Sequence, residues 1–359
     1  MEIYARGLVP ALRDAAPETR FTVFLNRQAE RAMVGEPWLA GTEIVEVRAP
    51  PNRVGWVVAD QGLVPRAAAR LGVDVLHSIA STGPGFAPMA RVVTVHDLIF
   101  LHHPEAHSRL MRIGMRMLVP SAARRADRVI AISKATKNDL TANGVNPERV
   151  DVVHNGGGHL APAAPPSGDS VRARYDLGTN PVIFSPSAKR PHKNLARLLR
   201  AFAQLKTTTN PMLVVPGYPT PHEHVLKALA AELGIGDRVR FPGWIDDDSI
   251  EALYATARCV VFPSLYEGFG LPVVEALARG VPVACSDTSS LPEVGGEAAA
   301  YFDPRDVTAI ASTVDRLLDD DVEAQRLAAA GPAQAAHFSW DRCAEGTLAS
   351  YARALGDKH

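Results

Sequence analysis

Short runs of β-branched and apolar residues alternate with helical stretches along the whole chain, and this alternation limits the fold more than any other feature. "FTVFL", "DVLHS", "RVVTVHD", "DRVIAIS" and "RVDVVHNG" fall before residue 158; "PVIFSPS", "MLVVPG", "RVRFPGW", "CVVFPS" and "VPVACSD" follow it. Runs that are apolar on both faces and separated by helices belong to parallel sheets covered by helices on both sides. Between the two sets lies "GGGHLAPAAPPSGDS", residues 156–170, whose Gly and Pro read as an interdomain linker. At 359 residues the chain exceeds what one hydrophobic core usually serves. The expected fold is therefore α/β, with two doubly wound, Rossmann-like domains whose strand carboxyl ends carry the loops that line a cleft.

Charge and cysteine usage narrow the function. The net charge of −1 argues against a nucleic-acid partner. The halves differ: nineteen Lys/Arg and fifteen Asp/Glu precede residue 158, whereas nineteen and twenty-four follow it, so the front half suits an anionic partner better. No run of eighteen apolar residues occurs, and "MEIYARGLVPAL" lacks the basic-then-apolar pattern of a signal peptide, which gives a cytoplasmic expectation. Cys259, Cys285 and Cys343 are too scattered for a disulfide frame or a zinc site.

The stretch "YEGFGLPVVEALARG" places Glu267 and Glu275 on either side of a Gly-Phe-Gly turn and a proline. Gly268 and Gly270 let backbone amides approach whatever sits above the turn, and Pro272 fits the start of a helix, where its missing N–H costs nothing. Gly280 ends that helix. The whole reads as a loop feeding a helix whose amino end can receive an anion. The plainer reading leaves Glu275 complementing the helix dipole and Glu267 solvated.

Lys189, Arg190 and Lys193, in "SPSAKRPHKNLARLLRAF", cluster where a strand hands over to a helix beginning near Asn194. With the helix start at "EGFGLP", they could hold a diphosphate from two sides, cationic side chains on one and backbone amides on the other; a solvated loop is the alternative. His96 follows "VVTV" at the carboxyl end of a strand, as a functional or a buried structural histidine. Ser133 and Lys134 end the next strand. The acidic run Asp246–Asp248 precedes "SIEALYATA" and fits helix capping, and Asp319–Asp321 separates two helices, so neither reads as a metal site.

The ordered set "VTVHDL", "SKATKNDL", "VHNGGG", "PHKNLARLLRAF", "GDRVRFPGWIDDDSIEALYATA", "EGFGLPVVE" and "SSLPEVGGEAAAYFDP" resembles the retaining glycosyltransferases of family 4, which have the GT-B fold. The resemblance runs through nearly the whole chain. It implies that Glu275 binds the ribose hydroxyls of a nucleotide-sugar donor and Glu267 the hydroxyls of its sugar. Lys193 with Arg190 would neutralise the leaving diphosphate, and Phe269, Gly270 and Leu271, with Gly268 in the same turn, would offer backbone amides. Gly243, Trp244 and Ile245 would line the base pocket, and His96 would reach the transferred sugar from the front domain. The last helix, "FSWDRCAEGTLASYARAL", would cross back, giving an acceptor domain of residues 1–157 plus 340–359 and a donor domain of 158–339.

The resemblance is strongest to mannosyltransferase-type members, so GDP-mannose is the expected donor and a UDP-sugar its competitor. No cofactor and no metal is expected. The acceptor would be a glycan, a lipid-linked or a small molecule engaging the front domain. There Arg109, Arg112 and Arg116 lie at helical spacing, suiting a membrane-surface acceptor and peripheral association, or an ordinary solvated helix face. Two other functions stand beside transfer: binding of a nucleotide sugar without turnover, and epimerisation of one on the same fold. Family members open with a strand and a glycine-rich loop ahead of a helix ending like "YARGLVPAL", which implies a missing amino-terminal strand and an upstream start.

Overall fold

The computed structural model describes residues 2–33, 35–50, 52–106, 108–157 and 167–357. Most of the stretch read as a linker lies outside the described residues. The chain divides into two units. The front unit comprises Met1–Leu101, His107–Gly156 and Phe338–His359, and the back unit His102–Ala106 and Gly157–His337.

In the front unit, β1 (Thr22–Asn26) pairs in parallel with β2 (Glu43–Val47) as a separate two-stranded sheet. β3 (Val75–Ser78), β4 (Ala90–Val95), β5 (Arg128–Ala131) and β6 (Val150–Val152) form a four-stranded parallel sheet in sequential order. All of β5 is buried, which explains its unbroken run "RVIA". β2 carries no such signal: "EIVEV" has glutamates at both half-exposed and exposed positions and was not recognisable as a strand.

The helix Glu2–Ala15 packs beside the last helix, Trp340–Gly356, and both cover the sheet through Tyr4, Leu8, Val92, Ile130, Cys343 and Ala344. Their approach needs glycine. A Cβ at Gly7 would sit 2.0 Å from the Trp340 ring, and one at Gly156 would sit 2.4 Å from it.

The back unit holds a six-stranded parallel sheet: β7 (Val182–Phe184), β8 (Met212–Val214), β9 (Val239–Arg240), β10 (Ala257–Phe262), β11 (Val283–Ser286) and β12 (Ala299–Phe302). Their spatial order is β12-β11-β10-β7-β8-β9. The chain builds outward from β7 in one direction, then returns to β10 on its other side and builds outward again. That reversal opens a crevice beyond the carboxyl ends of β7 and β10, the position where doubly wound sheets bind ligands. Cys259, Val260, Val261 and Phe262 are fully buried in β10, as a central parallel strand requires.

Candidate active site

Two loops meet at the reversal point. The loop leaving β7 closes in a 3-10 turn, Pro191–Lys193, and Asn194 takes a left-handed conformation (φ 59°) before the helix Leu195–Ala203. The loop leaving β10 runs through Glu267 into the helix Leu271–Ala278, capped by Gly270 at φ 118°. Buried Asn194 ties them together: its Nδ2 donates to the carbonyls of Pro263 (2.9 Å) and Pro304 (2.7 Å), while Leu265 N donates to His192 O (2.8 Å). Across this seam Lys193 Nζ donates to Glu267 Oε1 at 2.6 Å, with both side chains less than a fifth exposed.

The Gly-Phe-Gly turn is held from behind by two serines that sequence reasoning did not assign to the site. Ser290 Oγ donates to Phe269 O (2.6 Å) and to Glu267 O (3.0 Å), and Ser289 Oγ accepts from Glu267 N (2.9 Å). A Cβ on Gly270 would lie 2.8 Å from Leu291, so the turn has no room for a side chain there. Phe269 is buried, and Gly268 and Leu271 are half-buried. Pro272 is the second helical residue rather than the first, where its lack of an N–H is equally harmless.

Glu275 sits one turn into that helix, and its Oε2 accepts from Tyr254 OH at 3.0 Å. Burial and then the Glu275 charge raise the Tyr254 hydroxyl well above the usual tyrosine range, so it remains a donor. Arg279 stacks over the Tyr254 ring (4.8 Å), donates to Glu275 O (2.8 Å) and forks onto Glu251, Nε to Oε2 at 2.8 Å. "SIEALYATA" thus supplies Tyr254 and Glu251 as supports for Glu275. Only the tertiary contact reveals that.

One expected member of the cationic cluster is elsewhere. Lys189 is completely buried: its Nζ donates to Gly217 O (2.6 Å) and lies 3.8 Å from Glu223 Oε2. Burial lowers its pKa to about 8, against the pull of Glu223. The reading of Lys189 as a loop charge facing ligand is therefore corrected; it braces the sheet's loops from inside. Arg190 is exposed at the head of the 3-10 turn. Gly217 N in turn donates to Gly243 O (2.8 Å), and Gly243 is left-handed (φ 77°). Trp244 beside it is exposed and Ile245 is buried.

His102 and His103 belong to the back unit: the His102 ring stacks on Tyr266 (4.7 Å between centroids), the chain neighbour of Glu267, and the His103 ring lies 6.2 Å from that of His192, the chain neighbour of Lys193.

In the front unit His96 follows β4 directly. Its Nε2 bonds Ile79 O (2.8 Å), its backbone N donates to Ser81 Oγ (3.1 Å), and the Tyr4 ring meets it edge-on. Burial lowers its pKa to about 4, so the imidazole is neutral, with Nε2 carrying the proton and Nδ1 the lone pair. Ser133 is committed to capping: its Oγ accepts from Thr136 N at the start of Lys134–Ala142.

Asp246 and Asp320 also cap helices, accepting from Ser249 N (2.7 Å) and Glu323 N (3.0 Å). Among the described residues no group of three or more His, Cys, Asp or Glu is placed to hold a metal ion. All three cysteines are buried, and burial pushes the thiols of Cys259 and Cys343 up to about 12.

A lysine–carboxylate pair, a glycine turn and a helix amino end meet at the reversal point of a parallel sheet, the position where doubly wound α/β units bind their ligands. Residues 1–156 match the family model of Glycosyltransferase Family 4, and residues 170–334 that of Glycosyl transferases group 1. The chain is 32% identical over 264 residues to O-antigen chain mannosyltransferase B of Escherichia coli, covering 72% of this chain and 69% of that protein. It is 32% identical over 317 residues to MMP alpha-(1->4)-mannosyltransferase of Mycolicibacterium hassiacum, covering 80% and 72%. Its fold is similar to that of sucrose-phosphate synthase from Thermosynechococcus elongatus, with a TM-score of 0.75 at 22% identity over 97% of this chain and 92% of that one. The chain belongs to the group 1, family 4 glycosyltransferases, and it is a glycosyltransferase with the GT-B fold.

Proposed function

We propose that this glycosyltransferase moves mannose from GDP-mannose to a glycan or lipid-linked acceptor, with retention of anomeric configuration and without a metal ion. The observation that carries the donor site is the Lys193–Glu267 pair at 2.6 Å on the two loops of the reversal point. In the free protein the two charges satisfy each other. A nucleotide diphosphate sugar brings an anion for Lys193 and hydroxyl donors for Glu267, so each partner exchanges the other for a substrate group.

Departure of the diphosphate breaks the anomeric C–O bond, and the electron pair leaves on the phosphate oxygen. Lys193, Arg190 and the amino end of Leu271–Ala278 supply the positive potential that this charge requires, which supports a reaction that needs no divalent ion. The acceptor hydroxyl oxygen forms the new glycosidic bond on the same face, and its proton passes to the departing diphosphate. Glu275, oriented by Tyr254, takes the ribose hydroxyls; Gly243, Trp244 and Ile245 border the base. Residues 158–339 hold the donor in this reading. Residues 1–157 with 340–359 hold the acceptor, and neutral His96 serves as a hydrogen-bonding contact for sugar rather than as a charge. Mannose rests on the two mannosyltransferase relatives, each 32% identical.

Radiolabelled GDP-mannose and UDP-glucose, each offered with and without acceptor extracts and with excess EDTA, test the proposal. Transfer or slow hydrolysis from GDP-mannose alone, undiminished by EDTA, is the expected result. Preference for UDP-glucose would reassign the donor; binding without any turnover would replace transfer by a binding function; activity abolished by EDTA and restored by magnesium or manganese would refute the metal-free reading.

A further inference from the structure

Lys189 is a costly side chain to keep in the interior. It is wholly buried, and an ammonium group persists there only where both its charge and its N–H donors are satisfied. The counter-charge is Glu223, on the first turn of the helix Pro221–Glu232. Its Oε2 lies 3.8 Å from Lys189 Nζ, beyond hydrogen-bond reach, while its Oε1 pairs with Lys227 Nζ at 2.7 Å. The short bond of Lys189 goes elsewhere: Nζ donates to Gly217 O at 2.6 Å. A lysine kept only to neutralise a buried carboxylate would place that bond on the carboxylate.

Lys189 also holds the other end of the same loop. Thr220 Oγ1 donates to Lys189 O, so the segment 217–220 that follows β8 is gripped at Gly217 by the lysine side chain and at Thr220 by its main chain. This loop lies close against the one that follows β7: Ser187 N donates to Pro216 O (3.2 Å), and Gly217, at φ 128°, would set a Cβ 2.4 Å from Ser187 O. From Gly217 the connection continues to the loop that follows β9, because Gly217 N donates to Gly243 O at 2.8 Å. The carbonyl of Gly217 is thus committed to Lys189 and its amide to Gly243. A buried ammonium joins three loops at the carboxyl ends of β7, β8 and β9.

We propose, on the donor assignment in which Gly243, Trp244 and Ile245 border the base, that Lys189 is a positioning residue for the nucleotide base: by fixing Gly217 it fixes Gly243 and the segment that follows it. Being wholly buried, Lys189 does not itself meet the ligand. Its side chain acts through the Gly217 carbonyl, and truncating it leaves the main-chain bond to Thr220 in place. The diphosphate is assigned to other groups, Lys193, Arg190 and the amino end of Leu271–Ala278. Loss of the Lys189 ammonium should therefore be felt at the base and not at the phosphates.

Calorimetric titration of the full chain with GDP, UDP and inorganic pyrophosphate is the test, applied to Lys189→Met and to the double variant Lys189→Met/Glu223→Gln. Methionine keeps the unbranched stem but has no donor. The single variant leaves Glu223 without its nearer counter-charge in the interior and should melt at a lower temperature; the double variant removes that buried charge and should recover part of the loss. In both, affinity for the tighter-binding nucleotide should fall on the order of tenfold, while pyrophosphate affinity and kcat at saturating donor stay close to wild type. Wild-type nucleotide affinity in the double variant would overturn the proposal. So would equal weakening of nucleotide and pyrophosphate, which marks a general loosening of the unit instead of a displaced base segment. A wild-type chain that binds neither GDP nor UDP would refute the donor assignment itself, and this role of Lys189 with it.

Discussion

Lys193 and Glu267, 74 positions apart, share a 2.6 Å hydrogen bond across the seam between the loops that follow β7 and β10. The pair joins the two halves of the doubly wound sheet where chain direction reverses. It also keeps both charges paired in a partly buried site, where an unpaired charge would be costly.

Replacing Lys193 by Ala should lower kcat/KM by on the order of a hundredfold or more, because removing one preorganised charge from a leaving-group site costs a few kcal/mol. Steady-state kinetics with the preferred donor measure it. Near-normal rates would remove Lys193 from the diphosphate site.

Glu275→Gln should weaken nucleotide binding more than it slows turnover, since ribose contacts exist in ground and transition states alike. Tyr254→Phe, which removes the 3.0 Å hydrogen bond to Glu275, should change affinity in the same direction by a smaller factor. Calorimetric titration with GDP and UDP separates the two variants, and unchanged affinity in both would end the ribose assignment.

Ser290→Ala leaves the carbonyls of Phe269 and Glu267 without their shared donor. A buried unsatisfied group costs about 1–3 kcal/mol. The melting temperature should fall by a few degrees and donor affinity by on the order of tenfold, with kcat at saturation less affected because the turn can still close on bound donor. Ser290→Thr retains the hydroxyl and should recover affinity.

Acid should destabilise the front unit through two histidines. His77 bonds Tyr351 OH (2.8 Å) and Thr94 Oγ1 (2.7 Å), and burial lowers its pKa to about 3; His96 is lowered to about 4. Between these values and the ordinary 6.5 the unfolded chain binds more protons than the folded one, so stability falls as pH drops through that window. Each histidine contributes up to about 1.4 kcal/mol per pH unit. Urea midpoints measured across the window should show the slope, and His77→Gln should reduce it. A slope equal to wild type in that variant would mean His77 is not the group responsible.

Local order decided what could be read along the chain. The alternation of β-branched runs with helices sufficed for parallel α/β units because side-chain periodicity is a property of each segment alone. The positive-φ glycine and the proline at the start of Leu271–Ala278 were legible for the same reason: a left-handed turn and a helix start impose their own residue types. Asp246 could be recognised as a cap from its immediate neighbours, and the run at Asp319–Asp321 as a break between helices.

Only the tertiary structure decided which charges meet. Lys189 and Lys193 are four residues apart in one basic cluster, yet one points into the protein at Gly217 and Glu223 while the other faces Glu267. The arginines at 109, 112 and 116 were visible as a stripe, but the exposure of Leu110, Ile113 and Met117 beside them depends on which face the sheet covers. The support of Glu275 by Tyr254, and of the glycine turn by Ser289 and Ser290, arises because strand order brings segments about twenty residues apart into register. Strand order is set by global packing, by how every apolar face finds cover at once, and no single segment of the sequence carries that information.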